Sequence, residues 1–526
     1  MLRAMHRNRT TPRNLLLASL LAGSVATAQE RPTAIDWPQG DPHLSIVPRT
    51  AKEAARIATV TALTSDFSAP QRFEDRPAGA ATVRVWPDDN AFSQPSANVS
   101  FADELTFKVG NGLFRKVWVS APSSTLASDG LGPLFNARSC QRCHIKDGRG
   151  HPPEGPEDNA ISMFLRISIP SPEGAEADAA AIAAIKGYLA TLPDPNYGTQ
   201  LQDFAAPGQP AEYRLSITYE EEPVHLADGR VVSLRHPSYT AADLGYGPLH
   251  PDAMLSPRVA QQMIGLGLLE AIPAADILAL ADPEDRDGDG ISGRPNVVWS
   301  AEFNQPMLGR FGLKAGKPTI REQSAAAFAG DIGISNPLFP APAGDCTSAQ
   351  TACLNAPHGD GDARGTEIDI EGLDLVTFYS RNLAVPARRD VGNPEVLRGK
   401  ALFYETGCTA CHRPSFVTHR LTDQPEQSFQ LIWPYTDMLL HDMGPDLADN
   451  RPEARANGQE WRTPPLWGVG MTEQVSGHSY FLHDGRARSL LEAVLWHGGE
   501  ASAQRARVVE MSKADRNALI AFLESL

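Results

Sequence analysis

The pattern of hydrophobic and polar positions is clearest at the end of the chain, in the stretch SKADRNALIAFLESL. Its large apolar residues follow the i, i+3, i+4, i+7 spacing of one helix face: Leu519, Phe522, Leu523 and Leu526. Ser512 and Asp515 precede them as a capping box, which marks the start of a helix. The pattern therefore predicts a helix that begins close to residue 513.

Similar apolar spacing predicts helices in ADAAAIAAIKGYLATL, residues 177–192, and in SPRVAQQMIGLGLLEAI, residues 256–272. Alternation typical of strands is scarce, and the best candidates are YRLSITY, residues 213–219, and RVVSLRH, residues 230–236. With 43 Pro and 43 Gly, much of the backbone must be held outside regular elements. We expect a mainly α protein with long ordered loops.

The first residues have the composition of a secretory signal. A basic segment without acidic residues contains four arginines: Arg3, Arg7, Arg9 and Arg13. Leu15–Ala22 is apolar but too short to span a membrane, and Ala26–Ala28 is a small-residue cleavage site. Residues 1–28 are thus predicted to be a signal peptide, with a retained anchor as the alternative. No other long apolar run follows, so no membrane span is expected in the mature chain.

Charge narrows the choice of partners. Removal of the signal leaves 43 basic against 63 acidic residues. Such an acidic chain is a poor match for nucleic acid or for an anionic membrane surface. It suits a basic redox protein as partner, although a solvated acidic surface explains the same composition.

The sequence contains two copies of Cys-x-x-Cys-His, in ARSCQRCHIKDGRG and GCTACHRPSF. Their residues are Cys140, Cys143 and His144 in the first copy, and Cys408, Cys411 and His412 in the second. Cysteines three apart on a helical turn lie on one face, where they can form thioethers to the two vinyl groups of haem. The adjacent His can then ligate the iron. The motifs therefore predict two covalently bound haem c groups.

Two other interpretations of these motifs have less support. A structural zinc site needs four ligands, whereas each motif supplies three and the copies lie far apart. A redox dithiol needs no His after the second Cys. Because haem c is attached outside the cytoplasm, the motifs and the signal together predict a periplasmic protein.

The remaining cysteines, Cys346 and Cys353, lie in the turn-like segment GDCTSAQTACLNAPHGDGD. In an oxidising compartment, two close cysteines in a loop usually form a disulfide. A reactive dithiol is the alternative, but neither cysteine has a neighbouring His or basic residue.

The stretch DRDGDGISGRPN resembles a calcium-binding loop. Asp285, Asp287 and Asp289 stand at positions 1, 3 and 5 of such a loop, and Gly290 stands at position 6. Position 12 is Asn296 instead of a bidentate Glu. Calcium is one interpretation, and an acidic surface turn is the other.

With two haem motifs present, the chain resembles the di-haem oxidoreductase family, which is related to bacterial di-haem cytochrome c peroxidases. The similarity runs from about residue 101 to the end, in these stretches: GLGPLFNARSCQRCHIKDGRGHPP, GLGLLEAIP, DRDGDGISGRPN, AAAFAGDIGISNPLFP, RNLAVPARRD, PYTDMLLHDMG, EWRTPPLWGVG and YFLHDGRARSLLEAVLWHGGEA. The fold expectation becomes two cytochrome c-like haem domains. The first haem domain is expected within an N-terminal region, residues 29–340. A disulfide loop and a connecting helix follow at residues 341–390. The second haem domain is expected at residues 391–526.

The resemblance implies a division of labour between the haems. One keeps an open face for peroxide, and the other is six-coordinate and transfers electrons. In the peroxidases a Met closes a segment similar to LEAVLWH and ligates the second haem, and here His497 stands at that place. The resemblance thus implies His412 and His497 as a pair of iron ligands, which lowers the expected potential. His483 is the competing candidate.

The resemblance also implies residues for the open face of the first haem. REQSAAAFAGDIGISNP is similar to a peroxidase loop that carries a Gln and a Glu, which places Gln323 and Asp331 as catalytic candidates. The spacing is two residues shorter than in that loop, and Glu270 and His151 are reserve candidates. Leu313 stands where the family tends to carry Trp, so another residue must serve between the haems if that Trp relays electrons. Trp299 and Phe311 are the substitutes that the sequence offers.

The sequence thus predicts a peroxidase-type oxidoreductase that reduces hydrogen peroxide at the N-terminal haem. A small redox protein would deliver electrons through the C-terminal haem. Two alternatives stay open: a di-haem electron carrier, and an oxidase of a partner protein's side chains.

Overall fold

Short helices and short strands alternate along the chain in a computed structural model. It describes residues 37–38, 40–155, 158, 162–171, 190–359 and 365–526. The predicted signal peptide at 1–28 lies outside the described residues, as does most of the predicted helix at 177–192. Pro38–Leu526 form one compact unit. The domain limits at 340 and 390 stay predictions.

The α-helices are numbered in chain order. They are α1 Ala51–Val60, α2 Phe101–Phe114, α3 Cys140–Cys143, α4 Leu266–Glu270, α5 Ala274–Leu278, α6 Ile320–Ala327, α7 Thr351–Leu354, α8 Ile370–Arg381, α9 Pro394–Glu405, α10 Thr472–Ser476, α11 Leu490–Leu495, α12 Ser502–Glu510 and α13 Lys513–Ser525. A π-helical turn, Phe328–Ile332, continues α6.

The strands form small sheets, mostly of two strands each. They are β1 Ile46–Val47, β2 Val119–Ser120, β3 Asp129–Leu131, β4 Leu134–Phe135, β5 Met163–Pro170, β6 Thr191–Leu192, β7 Phe204–Ala205, β8 Arg214–His225, β9 Val231–Ala242, β10 Met254–Val259, β11 Val297–Ser300, β12 Gln305–Leu308, β13 Phe416–Val417, β14 Arg420–Leu421, β15 Leu431–Ile432, β16 Leu440–Asp442 and β17 Glu460–Arg462.

The expectation of a mainly α, cytochrome c-like fold was wrong, because helix accounts for only 29% of the structure and strand for 19%. Many strands, such as β1 and β14, are two residues long and pair with distant segments. Alternation needs about four residues to be recognised in a sequence, so strands of this length leave no pattern. Their backbone hydrogen bonds depend on partners outside the local sequence: Ile46 pairs with Leu421, and Leu134 pairs with Ala205.

The predicted helix at 256–272 was also largely wrong. Its first part is strand β10, which pairs antiparallel with β5, and only Leu266–Glu270 is helical. Gly265, at φ 71°, separates the strand from the helix. An apolar run that is buried on all sides does not distinguish a strand from a helix by its spacing.

Other local predictions were confirmed. The C-terminal helix is α13, and the Ser512 hydroxyl caps it by accepting the backbone N–H of Asp515 at 3.1 Å. The two predicted strands pair as an antiparallel hairpin of β8 and β9, twelve residues each. Leu226, Val232 and Leu234 at its turn end pack into the core around α9, α11 and α13.

Each Cys-x-x-Cys-His motif lies beside a closely packed pair of helices. Helices α2 and α8 cross at Gly110, where a Cβ atom would lie 2.3 Å from the Leu375 carbonyl oxygen. Helices α9 and α13 cross at Gly399, where a Cβ atom would lie 1.8 Å from the Ala518 oxygen. Glycine is therefore required at both crossings because the backbones themselves are in contact.

Phe114 and Phe403, at the ends of α2 and α9, occupy equivalent places. The ring of Phe114 lies 6.2 Å from that of His144, and the ring of Phe403 lies 6.1 Å from that of His412. Each Phe belongs to a separate core cluster. The Leu-Phe pair that precedes both motifs in the sequence thus has one structural role in both.

We expect Gly110→Ala to destabilise the protein, because the new methyl group must push α2 away from α8. Overpacking of this kind costs about 1–3 kcal/mol, and the melting temperature of the cofactor-loaded protein should fall. Gly112→Ala is the matched control on the same helix, since nothing lies within 4 Å of the position that its new methyl group would take. That change should be neutral or stabilising by up to about 1 kcal/mol. Equal melting temperatures for the two variants would contradict close helix contact at Gly110.

Candidate functional site

One internal cavity of about 880 Å³ reaches both Cys-x-x-Cys-His motifs. Its volume is at the upper end of the range for small-molecule and cofactor sites, about 300–1,000 Å³. The residues predicted from the sequence that line it are Cys140, Cys143, His144, Trp299, Phe311, Leu313, Gln323, Asp331, Cys408, Cys411, His412, His483 and His497. The chain therefore brings the two motifs, 268 positions apart in the sequence, to one shared cavity.

The first motif forms a single helical turn, α3, and the chain leaves the helix at His144. The Nδ1 atom of His144 lies 2.7 Å from the carbonyl oxygen of Gln261. A carbonyl can only accept a hydrogen bond, so Nδ1 carries the proton and Nε2 keeps its lone pair. This arrangement fixes the tautomer that a metal ligand requires.

The second motif repeats this arrangement with another partner. Cys408–Ala410 form a 3₁₀ turn, and Nδ1 of His412 lies 2.9 Å from the carbonyl oxygen of Tyr435. Burial lowers the pKa of both His144 and His412 to about 4. Both rings are therefore neutral at physiological pH and can offer Nε2 to a metal.

His497 follows helix α11, and its Nδ1 lies 2.8 Å from the carbonyl oxygen of Ala493. This ring also has the Nδ1–H tautomer with Nε2 free, and burial lowers its pKa. Its charged form would lower the pKa of His412, which indicates that the two rings are near each other. A third histidine with the geometry of a metal ligand thus lines the cavity near the second motif.

His483 has a different environment. Its ring stacks on Trp461 with the ring centres 3.9 Å apart and the planes 13° from parallel. Burial lowers the pKa of His483 to about 4. The stacking fixes this ring against an aromatic wall of the cavity.

None of the four motif cysteines belongs to a disulfide. Burial raises the pKa of Cys140 and of Cys408 to about 12, and it raises the pKa of Cys143 and of Cys411 as well. Zinc binding and dithiol exchange both require thiolates. Neutral, buried thiols beside an apolar cavity are a poor starting point for either chemistry.

Cys346 and Cys353 lie at bonding distance, with their Cα atoms 6.2 Å apart. The loop that they close contacts the polar wall behind the cavity. The carboxylate of Asp345, beside Cys346, accepts the Gln200 backbone N–H at 3.1 Å and the Thr199 hydroxyl at 2.9 Å.

Asp331 lies in the π-helical turn that ends α6. Its backbone oxygen accepts the N–H groups of Asn136 and Ala137, just before the first motif. Its side-chain Oδ1 accepts the Gln200 amide at 2.9 Å. Burial raises the pKa of Asp331, so its carboxyl keeps a proton to a higher pH than an ordinary Asp. The π-helical register, common at functional sites, holds this group at the cavity wall.

Gln323 lies two turns earlier, on α6, and lines the same cavity as Asp331. The two reserve candidates lie outside the cavity wall formed by the described residues. Glu270 accepts the backbone N–H of Ile320 and the guanidinium of Arg381. His151 packs against the ring of His478, 5.1 Å away.

Leu313 lies beside an aromatic residue that the sequence did not single out. Its carbonyl oxygen accepts the backbone N–H of Arg462, which places Leu313 next to Trp461. The Lys314 ammonium lies 4.5 Å from the centre of the Trp461 ring. The side chain of Leu313 is aliphatic, so Trp461 is the aromatic residue at this part of the cavity wall.

His441 is a second residue that sequence reasoning missed. Its ring nitrogens lie 2.8 Å from the Asp437 carboxylate and 2.7 Å from the Glu500 carboxylate. Burial lowers its pKa, but Asp437 raises it well above the ordinary value. A charged imidazolium therefore lies 3.5 Å from the sulfur of Cys411. The only signal in the sequence was its place in LHDMG.

Several cations on the cavity wall form no salt bridge within the part of the chain that the structure describes. Five lining side chains share this property: Arg149, Arg166, Lys317, Arg462 and Arg505. The Nε atoms of Arg149 and Arg166 are also buried without a hydrogen-bond partner. Unpaired buried charge is costly, so a ligand that carries carboxylates would stabilise this wall.

These features fit two haem groups. The apolar space, the pairs of cysteines and the neutral histidines with free Nε2 atoms match c-type attachment. The unpaired cations match the propionates of haem.

The acidic loop lies apart from the cavity. One carboxylate oxygen each from Asp285, Asp287 and Asp289 lies within 4.8 Å of the others. Asn296 is turned away, because its amide donates to the carbonyl oxygens of Lys314 and Glu453. The residue at position 12 is therefore engaged elsewhere, and calcium binding by Asp285, Asp287 and Asp289 stays a prediction.

Comparison with known proteins gives the family. A protein-family model described as "Di-haem oxidoreductase, putative peroxidase" matches residues 75–526. No curated protein matches the chain. Among the described residues, no helix is both long and apolar enough to cross a membrane. Because the family match covers most of a chain that presents two Cys-x-x-Cys-His motifs to one cavity, this protein belongs to the di-haem oxidoreductase family.

Proposed function

We propose that this protein is a periplasmic, peroxidase-type oxidoreductase with two covalently bound haem c groups. Hydrogen peroxide is the oxidant, and a small redox protein is the electron donor. One observation carries the proposal: both motif histidines and the half-buried carboxyl of Asp331 line the same cavity. The acidic composition, with a net charge of −16 for the whole chain, suits a basic donor.

The residues that hold the groups follow from the two motifs. Cys140 and Cys143 form the thioethers of the first group, and Cys408 and Cys411 form those of the second. When bound, the haems supply an iron centre for peroxide beside His144 and an electron-transfer centre beside His412. His497, with its free Nε2, is the further ligand at the second site.

Asp331 is the proposed acid–base group. Reduction of one peroxide to two waters consumes two electrons and two protons. A carboxyl beside peroxide can take the proton of the near oxygen and return it to the far oxygen, so that water leaves. The pKa of Asp331 is raised by burial, which moves its proton exchange toward neutral pH. The Gln323 amide can donate a hydrogen bond to the same oxygen.

A pure electron carrier is less well supported. A carrier needs no carboxyl at the wall of its cofactor cavity, and holding the Asp331 carboxyl partly away from water costs free energy. Oxidation of a partner protein's side chains would use the same residues, and it stays an alternative whose substrate differs.

The first prediction concerns attachment. Because both pairs of cysteines face the cavity, intact mass after acid–acetone extraction should exceed that of the apo-chain by two haems. Cys408→Ala combined with Cys411→Ala should remove one haem and leave the other. Retention of one haem or none in the parent would contradict the proposal.

The second prediction concerns His497. His497→Met should keep the second haem low-spin and raise its potential, because a thioether ligand raises the potential relative to imidazole. Redox titration with EPR would measure both properties. If neither changes, His497 is not the ligand, and His483 and Met443, which line the same cavity, become the candidates.

The third prediction concerns Asp331. Asp331→Asn preserves the shape of the side chain but removes proton transfer, so peroxide turnover should fall by about 10²–10⁴. Haem content and the potential of the second haem should stay unchanged. Gln323→Glu is the control, because it keeps a proton-transfer group nearby and should reduce turnover less. Turnover of Asp331→Asn within about threefold of the parent, far less than that range, would reject this acid–base role.

A further inference from the structure

A second carboxyl, Asp203, is linked to Asp331 by two buried amides. The Nε2 atom of Gln200 donates to Oδ1 of Asp331 at 2.9 Å and to Oδ1 of Asn136 at 2.6 Å. The Nδ2 atom of Asn136 donates in turn to Oδ1 of Asp203 at 2.9 Å. The chain of hydrogen bonds thus runs from Asp203 through Asn136 and Gln200 to Asp331.

The sheet register brings the first two members together. In the antiparallel pair of β4 and β7, Phe135 lies opposite Phe204, and their rings stack 5.8 Å apart. The next position along β4, Asn136, therefore faces the position before β7, Asp203. Asn136 is four residues before Cys140, so this pairing lies directly behind the first haem motif.

The two amides can adopt only one orientation. Asn136 and Gln200 are each 1% exposed, and the second donor contact of the Asn136 amide is the carbonyl oxygen of Leu201, 2.9 Å away. The acceptors around the Gln200 amide nitrogen are all oxygens, from Asn136, Asp331 and Gly330. A flip of either amide would place oxygen against oxygen. Each carboxyl therefore determines how the neighbouring amide points.

The charged and titratable groups around this chain are few. Arg166 lowers the pKa of Asp331, whereas burial raises it. Asp345 holds the Gln200 backbone, and Glu212 accepts the Gln202 N–H. The Tyr213 hydroxyl and the Cys143 sulfur both interact with the charge of Asp203.

Asp203 has no salt bridge among the described residues. Burial raises its pKa to about 7, although the Asn136 amide lowers it. Both ends of the chain are thus carboxyls without a cation in contact, in surroundings of low dielectric where charges interact strongly.

We propose that Asp203 is a positioning residue for Asp331, which it orients through the Asn136 and Gln200 amides, and that the two carboxyls titrate as one coupled pair. The proposal rests on the proposed function only in that Asp331 is the acid–base group. Asp203 does not contact the cavity. It sets the direction of the hydrogen bond that Asp331 receives, because the Asn136 and Gln200 amides connect the two carboxyls.

Coupling of this kind has a signature that a structural role lacks. When two carboxyls repel, the upper of their two titration steps belongs to the pair and not to either residue. If one carboxyl is removed, the pKa of the remaining carboxyl should therefore lie roughly one pH unit below the upper titration step of the pair. The measurement is the infrared band of protonated carboxyls, followed from pH 4 to 9 in the haem-loaded protein.

Asp203→Asn and Asp331→Asn are the test variants, and each keeps an oxygen acceptor for the neighbouring amide. Both should lose the upper step of the parent. Glu212→Gln is the matched control, because burial also raises the pKa of Glu212, to about 8, but its side chain contacts Gln202 and Gln350 and not this chain. The Glu212→Gln variant should lose the titration step of Glu212 and keep the two steps of the Asp203–Asp331 pair unchanged.

If one of the two single variants keeps the upper step of the parent unchanged, the carboxyls are independent and the inference is overturned. Equal shifts in Glu212→Gln would overturn it too, because the effect would then be a general response to mutation. Peroxide turnover separates this inference from the proposed function. Coupled titration without peroxide turnover would support the coupled pair and reject the peroxidase function. Peroxide turnover with independent titration would support the peroxidase function and reject the coupled pair.

Asp203→Leu tests the orienting role by removing one of the two acceptors of the Asn136 amide and leaving only the Leu201 carbonyl oxygen. Turnover number should fall roughly ten- to hundredfold, as misplaced catalytic groups typically cause, with little change in KM. Asp203→Asn should keep a turnover closer to that of the parent, because the acceptor remains. Equal turnover in the parent and in both variants would overturn the orienting role, and Asp203→Asn still tests the coupling if Asp203→Leu fails to fold.

Discussion

The need to fill one large space between two distant motifs governs this structure. The space has a volume of about 880 Å³ and a mainly apolar lining, and apolar side chains that face an unfilled space lose packing contacts. Haem groups bound at the two motifs would therefore complete the hydrophobic core. The helix crossings at Gly110 and Gly399 hold the surrounding walls.

The polar part of the wall follows from the same constraint. Charges in a space shielded from water interact strongly and are costly when unpaired. Arg149 and Arg462 have no carboxylate partner in the described chain, which is consistent with ligands that bring carboxylates. Behind the first motif lie two carboxyls, Asp331 and Asp203, that have no cation in contact and whose pKa values burial raises. The cavity thus has cationic places that suit a bound anion and an acidic place that suits proton transfer.

The sequence predicted the parts of the site that depend on local chemistry. The two motifs, the C-terminal helix and the β8–β9 hairpin could be identified because their signals lie within a few residues. The carbonyl partners of His144 and His412 could not, since Gln261 is 117 positions from His144 and offers only its backbone. Asp203 was missed for a related reason: only the pairing of two-residue strands places it beside Asn136. Strand β10 was mistaken for a helix because full burial removes the alternation that identifies a strand.

The walls of the cavity come from segments as far apart as Phe114 and Leu523, which has a consequence for biogenesis. If haem is attached covalently after export, the enzymes that attach it must reach the cysteines while the chain is still open, because the thiols later lie at the cavity wall. The surroundings of the first motif cannot close until the C-terminal segment that contains Leu523 has also arrived. Folding of the unit is therefore expected to follow attachment, and chains that close early would be trapped without one of their groups.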